Sequence, residues 1–499
     1  MKKLSIVIVA LLVCGAIQAQ NRELPDQYWT DIVTEQPTGY LVDSNGDVHL
    51  YSAEALAWLI STVNGINGQE ADDFNGKKVT LEANVDMSAA LWIPIADGTN
   101  LGDPNPDKLK FCGIFDGNGF VVNNIILFRN PNYENSESFF GNLCGARIVN
   151  VVLRHVYSEG RNVADGKFFG SAESYETEGD IRLNVIDRCY VEIDEVYKDG
   201  LYLGSALFGY KNDGIIKNSM VKLGRLSNPD DNSNCDNESL FVYYNYGTIQ
   251  NCASVADSLI WMWEYPGMAM ENYGLIENCY SYIGNWFGNY PCYWESYPRM
   301  GVAGANYGTI CHCYFNTFKY YSDGFDDEPV YYNEGTIENT VPFEPTPYFQ
   351  SPYWIFADTV SIQSHTGFVY KTIQLEEALN NWVLGQENSE DYEYWCASPY
   401  CSIFANHLPS FSGIDITDIR ENTANNEHIM LYPNPTNGLV RINGMKVAKL
   451  QVCTLLGQLV KTVEDTNEIS VAGLPEGVYV LRIRDEKGNS FTERVSVGR

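Results

Sequence analysis

The chain has 499 residues and a net charge of −32, from 64 acidic against 32 basic side chains. That excess of negative charge excludes nucleic acid and anionic membrane surfaces as partners, because their phosphates repel it, and it suits the solubility of an extracellular surface. Aromatic residues make up 13%, with 34 tyrosines, enough either to stack inside a repetitive core or to form an exposed face that binds sugar rings.

Residues 1–20 open with Lys2 and Lys3, continue with the apolar run Leu4–Val13 and reach the small residue Ala19. A positive start, a short apolar run and a small residue before a cut predict a secretory signal peptide, cleaved after Ala19 or Gln20. The bulky Val13 before Cys14 argues against lipid attachment at that cysteine. No other stretch approaches the ~20 apolar residues of a membrane-spanning helix, so no transmembrane segment is expected in the mature chain.

Asp43-Ser44-Asn45-Gly46-Asp47 has the start of a calcium loop, but Ala55 falls where the bidentate glutamate belongs. A hairpin turn is expected instead. Ser52 then N-caps a predicted helix over 53–63, with Leu56, Leu59, Ile60 and Val63 on one face. A helix lying over a first coil would cover an otherwise open sheet edge. Val79–Met87 alternates as one strand.

From about residue 113 a unit recurs. Asn245-Tyr246-Gly247-Thr248-Ile249-Gln250-Asn251-Cys252 returns as Asn272–Cys279, Asn306–Cys313 and Asn333–Thr340, with an upstream copy at Asn212–Ser219 and weaker ones at Asn184, Ala146 and Phe120. Successive copies lie 26 to 38 residues apart, which is too uneven for equal propeller blades and suits a solenoid with loops of varying length. Three columns follow: Val122, Ile148, Ile186, Ile216, Ile249, Ile276, Ile310 and Ile337 as a buried ladder; Asn124, Asn150, Arg188, Asn218, Asn251, Asn278, His312 and Asn339 as a corner amide ladder; and Ile125, Val151, Cys189, Ser219, Cys252, Cys279, Cys313 and Thr340 as small residues in a stack. Glycine, or Asn184, is expected to supply left-handed backbone at the corner. The fold class predicted is all-β: a right-handed parallel β-helix with a short N-terminal capping helix, followed by a small C-terminal β-sandwich.

The same columns weigh against metal chemistry. Alternation places Cys311 and His312 on opposite faces of a strand, and no paired C-x-x-C exists, so no metal ligand is assigned. Cys189, Cys252, Cys279 and Cys313 read as buried stack residues, and Cys396 and Cys401 as the better disulfide candidates. No cofactor-binding residue is assigned either.

The order helix, Gly76–Met87 strand, Trp92-Ile93-Pro94-Ile95, Gly113–Ile125 and then the N-x-G-T-I-x-N-C coils resembles the GLUG-repeat surface proteins of Bacteroidetes, over about 48–412. Leu375–Asn380, Trp382 and Leu408–Phe411 look like the closing segment, 346–412, of such domains. The resemblance implies a β-helix domain over 21–412, with repeats about 113–345, and an adhesive or surface role. Some members carry a metallopeptidase domain, but the chain has no H-E-x-x-H.

A polar linker, 413–428, leads to a second domain. Alternating strands punctuated by Asn-Gly, Leu-Gly and Glu-Gly predict a small all-β module over 429–499. Tyr432-Pro433-Asn434-Pro435 and Gly473-Leu474-Pro475-Glu476-Gly477-Val478-Tyr479 resemble the type IX secretion C-terminal sorting domain. That resemblance implies the type IX secretion machinery as partner of 429–499, and passage across the outer membrane to the cell surface or the medium.

No catalytic residue is assigned. Asp116 is the best lone carboxylate, but Asp116-Gly117-Asn118-Gly119 is turn chemistry, and no second acid is placed beside it by spacing. The expected function is non-catalytic, adhesin-like binding of host matrix, cells or glycans. The alternative is a carbohydrate-active β-helix enzyme with a groove lined by Trp261, Trp263, Trp286, Tyr290, Tyr293 and Trp294.

Overall fold

The computed structural model describes residues 24–97, 109–128, 137–160, 166–177, 180–198, 205–227, 238–260, 266–287, 301–316, 329–343, 359–362, 371–397, 409–411 and most of 430–497. The chain divides into two compact units, Met1–Pro409 and Ser410–Arg499.

The first unit is a parallel β-helix. Each full coil contributes one strand to each of three sheets. In one coil, Val242–Asn245 lies in the first sheet, Thr248–Gln250 in the second and Ala253–Ile260 in the third. The sheets hold 7, 11 and 12 described strands. Stacking is parallel and residue-for-residue: Ile186, Ile216, Ile249, Ile276 and Ile310 are register partners in turn, and all are fully buried. One rung alone would leave its inner face wet. Stacked, each isoleucine contributes on the order of 2 kcal/mol of apolar burial. A phenylalanine ladder, Phe139, Phe168, Phe208 and Phe241, fills the space beside it, with centroids 6.3, 5.0 and 4.6 Å apart.

Two corners are short and the third is open-ended. Tyr246-Gly247 turns the first sheet into the second, and Asn251-Cys252 turns the second into the third. The return to the first sheet carries the inserts of variable length, and those bearing Trp261, Trp263, Tyr290, Tyr293 and Trp294 lie outside the described residues. So do residues 1–20 and the side chains of Trp286, Cys396 and Cys401.

The left-handed residues are the asparagines, not the glycines. Asn150, Arg188, Asn218, Asn251, Asn278, His312 and Asn339 all have φ between 48° and 56°. Asparagine tolerates this region because its short polar side chain bonds locally. Gly119 and Gly145 do have positive φ, but Gly247, Gly274, Gly308 and Gly335 do not, and neither does Asn184. Those glycines are needed for closeness: a Cβ on Gly274 would lie 1.9 Å from the Gly247 carbonyl oxygen, and one on Gly308 2.1 Å from that of Gly274.

Two further expectations are corrected. Val122 does not start the isoleucine column. It pairs with Leu153 in the third sheet, and Phe115 is the rung beneath Ile148. Val79–Met87 is two strands, Lys78–Leu81 in the second sheet and Val85–Asp86 in the third, separated by a corner. Both interiors are apolar, so the alternation runs through the bend unmarked.

Helix Ala53–Asn64 connects the parallel strands Val48–Leu50 and Lys78–Leu81. Ser52 Oγ accepts from the Ala55 amide at 3.2 Å, and Gly65 ends the helix at φ 69°. Ala55, Leu56, Ala57, Trp58, Leu59, Ile60 and Val63 are buried in the same core as the coils, so the helix closes that end. The 43–47 segment is the predicted turn between antiparallel Tyr40–Val42 and Val48–Leu50, with Asp43 Oδ1 accepting from the Asn45 and Asp47 amides.

The second unit pairs a three-stranded antiparallel sheet (430–432, 439–443, 468–470) with a four-stranded one (447–454, 459–464, 477–485, 490–497). Val440, Ile442 and Ile469 from one meet Leu450, Val452, Leu481, Ile483 and Val495 from the other in one core.

Candidate functional site: a tyrosine ridge and a broken corner

The first corner carries a row of exposed tyrosines. Strand stacking fixes neighbouring coils about 4.8 Å apart. Whatever side chain occupies a corner column is therefore repeated at that spacing. Tyr246, Tyr273 and Tyr307 occupy one column, with ring centroids 4.8 Å apart at each step and planes within 6° and 10° of parallel. They are 48%, 41% and 39% exposed. Tyr332 leans on Tyr307 at 5.8 Å. At the other end the Lys211 ammonium lies 5.8 Å from the Tyr246 ring centroid.

Because each ring covers its neighbour's face, solvent meets ring edges and hydroxyls. Two carboxylates sit among them. Tyr273 donates to Glu271 at 2.5 Å, and Tyr332 donates to Glu334. The hydrogen bond to Glu271, added to a slight burial, pushes the Tyr273 phenol well above its usual range, and Glu334 raises Tyr332. These phenols stay neutral, acting as hydrogen-bond donors and acceptors on an acidic ridge.

Beneath the ridge runs an amide ladder that the glycine-centred reading of the repeat missed. Asn212, Asn245, Asn272 and Asn306 each donate Nδ2 to the Oδ1 of the next, Asn333 being last, at 2.7–2.8 Å. The signal was present in the first letter of each N-x-G, as the ridge was in its second.

The second corner bears the predicted asparagine ladder: Asn278 donates to Asn251 and Asn251 to Asn218, both at 2.8 Å. Its outward face is covered by the chain itself. Segment 375–397, which begins with helix Leu375–Leu384, runs across it. Asn218, Asn251 and Asn278 donate to the carbonyls of Asp391, Glu393 and Leu379, and Trp395 Nε1 donates to Asn251 Oδ1 at 2.6 Å. Trp395 is buried against Tyr280.

At one coil this corner is broken. Strand Thr309–Cys311 ends at Cys311, and His312 turns away at φ 53°. The alternation expected to separate the two residues therefore stops before His312. Cys311, His312 and Glu277 of the preceding coil place one ligand atom each within 4.8 Å of one another. Burial, reinforced by Glu277, pushes the Cys311 thiol up to about 12.

Asp116, also singled out from sequence, sits apart from both features, and the cysteine column lies just inside the second corner. Asp116 is held by Lys78 Nζ at 2.9 Å, Asn150 Nδ2 at 3.0 Å and the Asn118 amide at 2.9 Å, as a turn residue is. Burial raises its carboxyl, but these bonds outweigh it and hold the carboxyl below the usual range. Cys189, Cys252, Cys279 and Cys313 are fully buried free thiols in one stack.

Residues 430–497 match the secretion system C-terminal sorting domain, which marks the chain for export through the type IX secretion system to the cell surface or beyond it. No curated protein matches the chain. A solved structure described as a "putative immunoglobulin A1 protease from Bacteroides ovatus" is similar at 14% identity and a TM-score of 0.33, covering 74% of this chain and 94% of that one. A likeness that distant carries no inference about activity. Among the described residues, no helix is long and apolar enough to cross a membrane.

Proposed function

We propose that this is a non-catalytic binding protein of the GLUG-repeat kind, exported with residues 1–20 as its signal peptide, whose β-helix grips polyhydroxylated chains of host matrix, cells or glycans along the tyrosine ridge. The observation that carries this reading is the exposed column Tyr246, Tyr273 and Tyr307, repeating every 4.8 Å. A row of phenol hydroxyls interleaved with carboxylates offers alternating donors and acceptors. A polymer of sugar rings laid parallel to the solenoid axis presents the complementary row, and the ring edges supply apolar contact. Large exposed side chains held rigid by stacking lose little entropy on binding. The export domain supports the location that such a role needs.

The enzyme reading rests on the tryptophan-bearing inserts, which lie outside the described residues, and on Asp116, whose carboxylate is already engaged by Lys78 and Asn150. The test is retention of the purified protein on mucin, matrix and glycan arrays. With each ring contributing ~1 kcal/mol, the triple variant Tyr246→Ser, Tyr273→Ser, Tyr307→Ser is expected to lose about 100-fold in affinity. Equal retention of wild type and variant, or none of either, would sink the reading. Release of soluble sugar from a polysaccharide panel would replace it with catalysis.

A further inference from the structure

We propose that Glu277, Cys311 and His312 form a binding site for a divalent transition-metal ion of the zinc class, with a carboxylate oxygen, the thiolate sulfur and imidazole Nδ1 as ligands and a fourth position left over.

One coil sets a thiol and an imidazole at adjacent positions that other coils fill with charged or amide side chains. The outward column of the second sheet reads Asp187, Lys217, Gln250, Glu277, Cys311, Glu338, and the corner column reads Arg188, Asn218, Asn251, Asn278, His312, Asn339. A buried thiol and an imidazole enter together, side by side.

The imidazole also interrupts the amide ladder. The amide ladder needs an asparagine at 312 to donate to Asn278 Oδ1. With His312 there, Asn278 Oδ1 and His312 Nδ1 are both buried and both lack a hydrogen-bond partner. An unpaired buried nitrogen is costly, and a cation at that rung would give His312 Nδ1 the partner it lacks.

Carboxylate, thiolate and imidazole together suit zinc and its neighbours, whereas calcium and magnesium select oxygen alone. Zinc bond lengths place tetrahedral ligands roughly 3.3–3.8 Å apart. His312 Nδ1 lies 3.9 Å from Glu277 Oε1, and all three ligand atoms fall within 4.8 Å, so a closure of about 1 Å completes the set.

Glu277 is steadied by Gln250 Nε2 at 2.9 Å and Trp382 Nε1 at 3.0 Å, and His312 Nε2 lies 3.2 Å from the Asn339 amide. Metal-bound histidines characteristically use the other ring nitrogen this way, and a half-turn of the amide presents its oxygen to Nε2–H. Binding displaces the Cys311 thiol proton to solvent. The ion's two positive charges then balance one thiolate and one carboxylate. Because Trp382 belongs to helix Leu375–Leu384, an ion on Glu277 would also brace the segment lying over the corner.

The experiment uses the full chain, reduced, stripped with chelator and dialysed against zinc chloride. The wild type is expected to retain about one more equivalent of zinc than a Cys311→Ser/His312→Asn double variant, and to show a thiolate-to-metal absorption band with cobalt(II). His312→Asn restores the ladder residue, so it is expected to fold and melt no lower than the wild type while binding zinc ~100-fold more weakly. A wild type that retains no zinc overturns the proposal. So does a double variant, or a folded His312→Asn, with unchanged zinc content and cobalt spectrum.

Discussion

Glu192 shows how a single residue couples neighbouring coils. It is 9% exposed and accepts from Arg154 Nε at 2.8 Å and Lys222 Nζ at 2.9 Å. Burial raises its carboxyl, but Lys222 and Arg154 prevail and hold it below the usual value. A depressed folded value means the unfolded chain takes up the proton first as pH falls. The stabilisation is therefore complete above about pH 4.5, the ordinary glutamate value, and is lost as pH falls through the folded value. Glu192→Gln removes the carboxylate that Arg154 and Lys222 share and is expected to cost about 2 kcal/mol at pH 7. That gap should narrow at pH 3 in urea unfolding, and a gap that stays constant with pH would show the carboxylate is not the titrating group. None of this could be read from sequence, because Arg154, Glu192 and Lys222 are neighbours only once coils stack. The left-handed asparagines are the opposite case: an Asn at a fixed offset from the glycine in each unit stated its own corner, although that role was expected of glycine. What went unseen there was the carbonyl of the coil below, which excludes a Cβ whatever the backbone angle.

A coil is the element that repeats, and its tolerance follows from contact between coils. Ordinarily Gly→Ala at an unstrained position stabilises by ~0.4–1 kcal/mol, because the unfolded chain loses freedom. Gly274 has ordinary φ, yet its Cβ would meet the Gly247 oxygen at 1.9 Å. Gly274→Ala is therefore expected to destabilise the β-helix by about 3 kcal/mol or more, as a clash with backbone that cannot move aside. Thermal melting of the variant decides it, and a melting point equal to or above wild type would refute the packing argument. The capping helix was legible in Ser52 and its apolar spacing because capping and periodicity are local. The segment 375–397 was legible only by resemblance, as part of a closing segment over 346–412, and its helix was not foreseen. Its partners Asn218, Asn251 and Asn278 lie 101 to 175 residues away, and no local signal names such a pairing.

At the scale of the molecule, the two units divide the work. The β-helix displays side chains in columns, and the C-terminal sandwich, matched as a secretion sorting domain, directs the chain outward. Deleting residues 430–497 is expected to leave the β-helix folded but retained inside the outer membrane. Surface proteolysis and fractionation of cells carrying the truncated chain would show this, and truncated chain at the surface or in the medium would refute it. By itself, the amino-acid sequence determined the repeat, the all-β solenoid, the buried isoleucine and cysteine columns, the asparagine ladder at a corner, and the sorting module. Each of these follows from periodicity or from a compact local motif, and stacking only extends a pattern already written along the chain. The tertiary structure alone decided the ring stacking and exposure of the tyrosine column, the Arg154–Glu192–Lys222 bridge and the meeting of Glu277 with Cys311 and His312. Those depend on which residues of different coils share a column and which way a left-handed corner turns them, and register between distant strands exists only when the coils are packed.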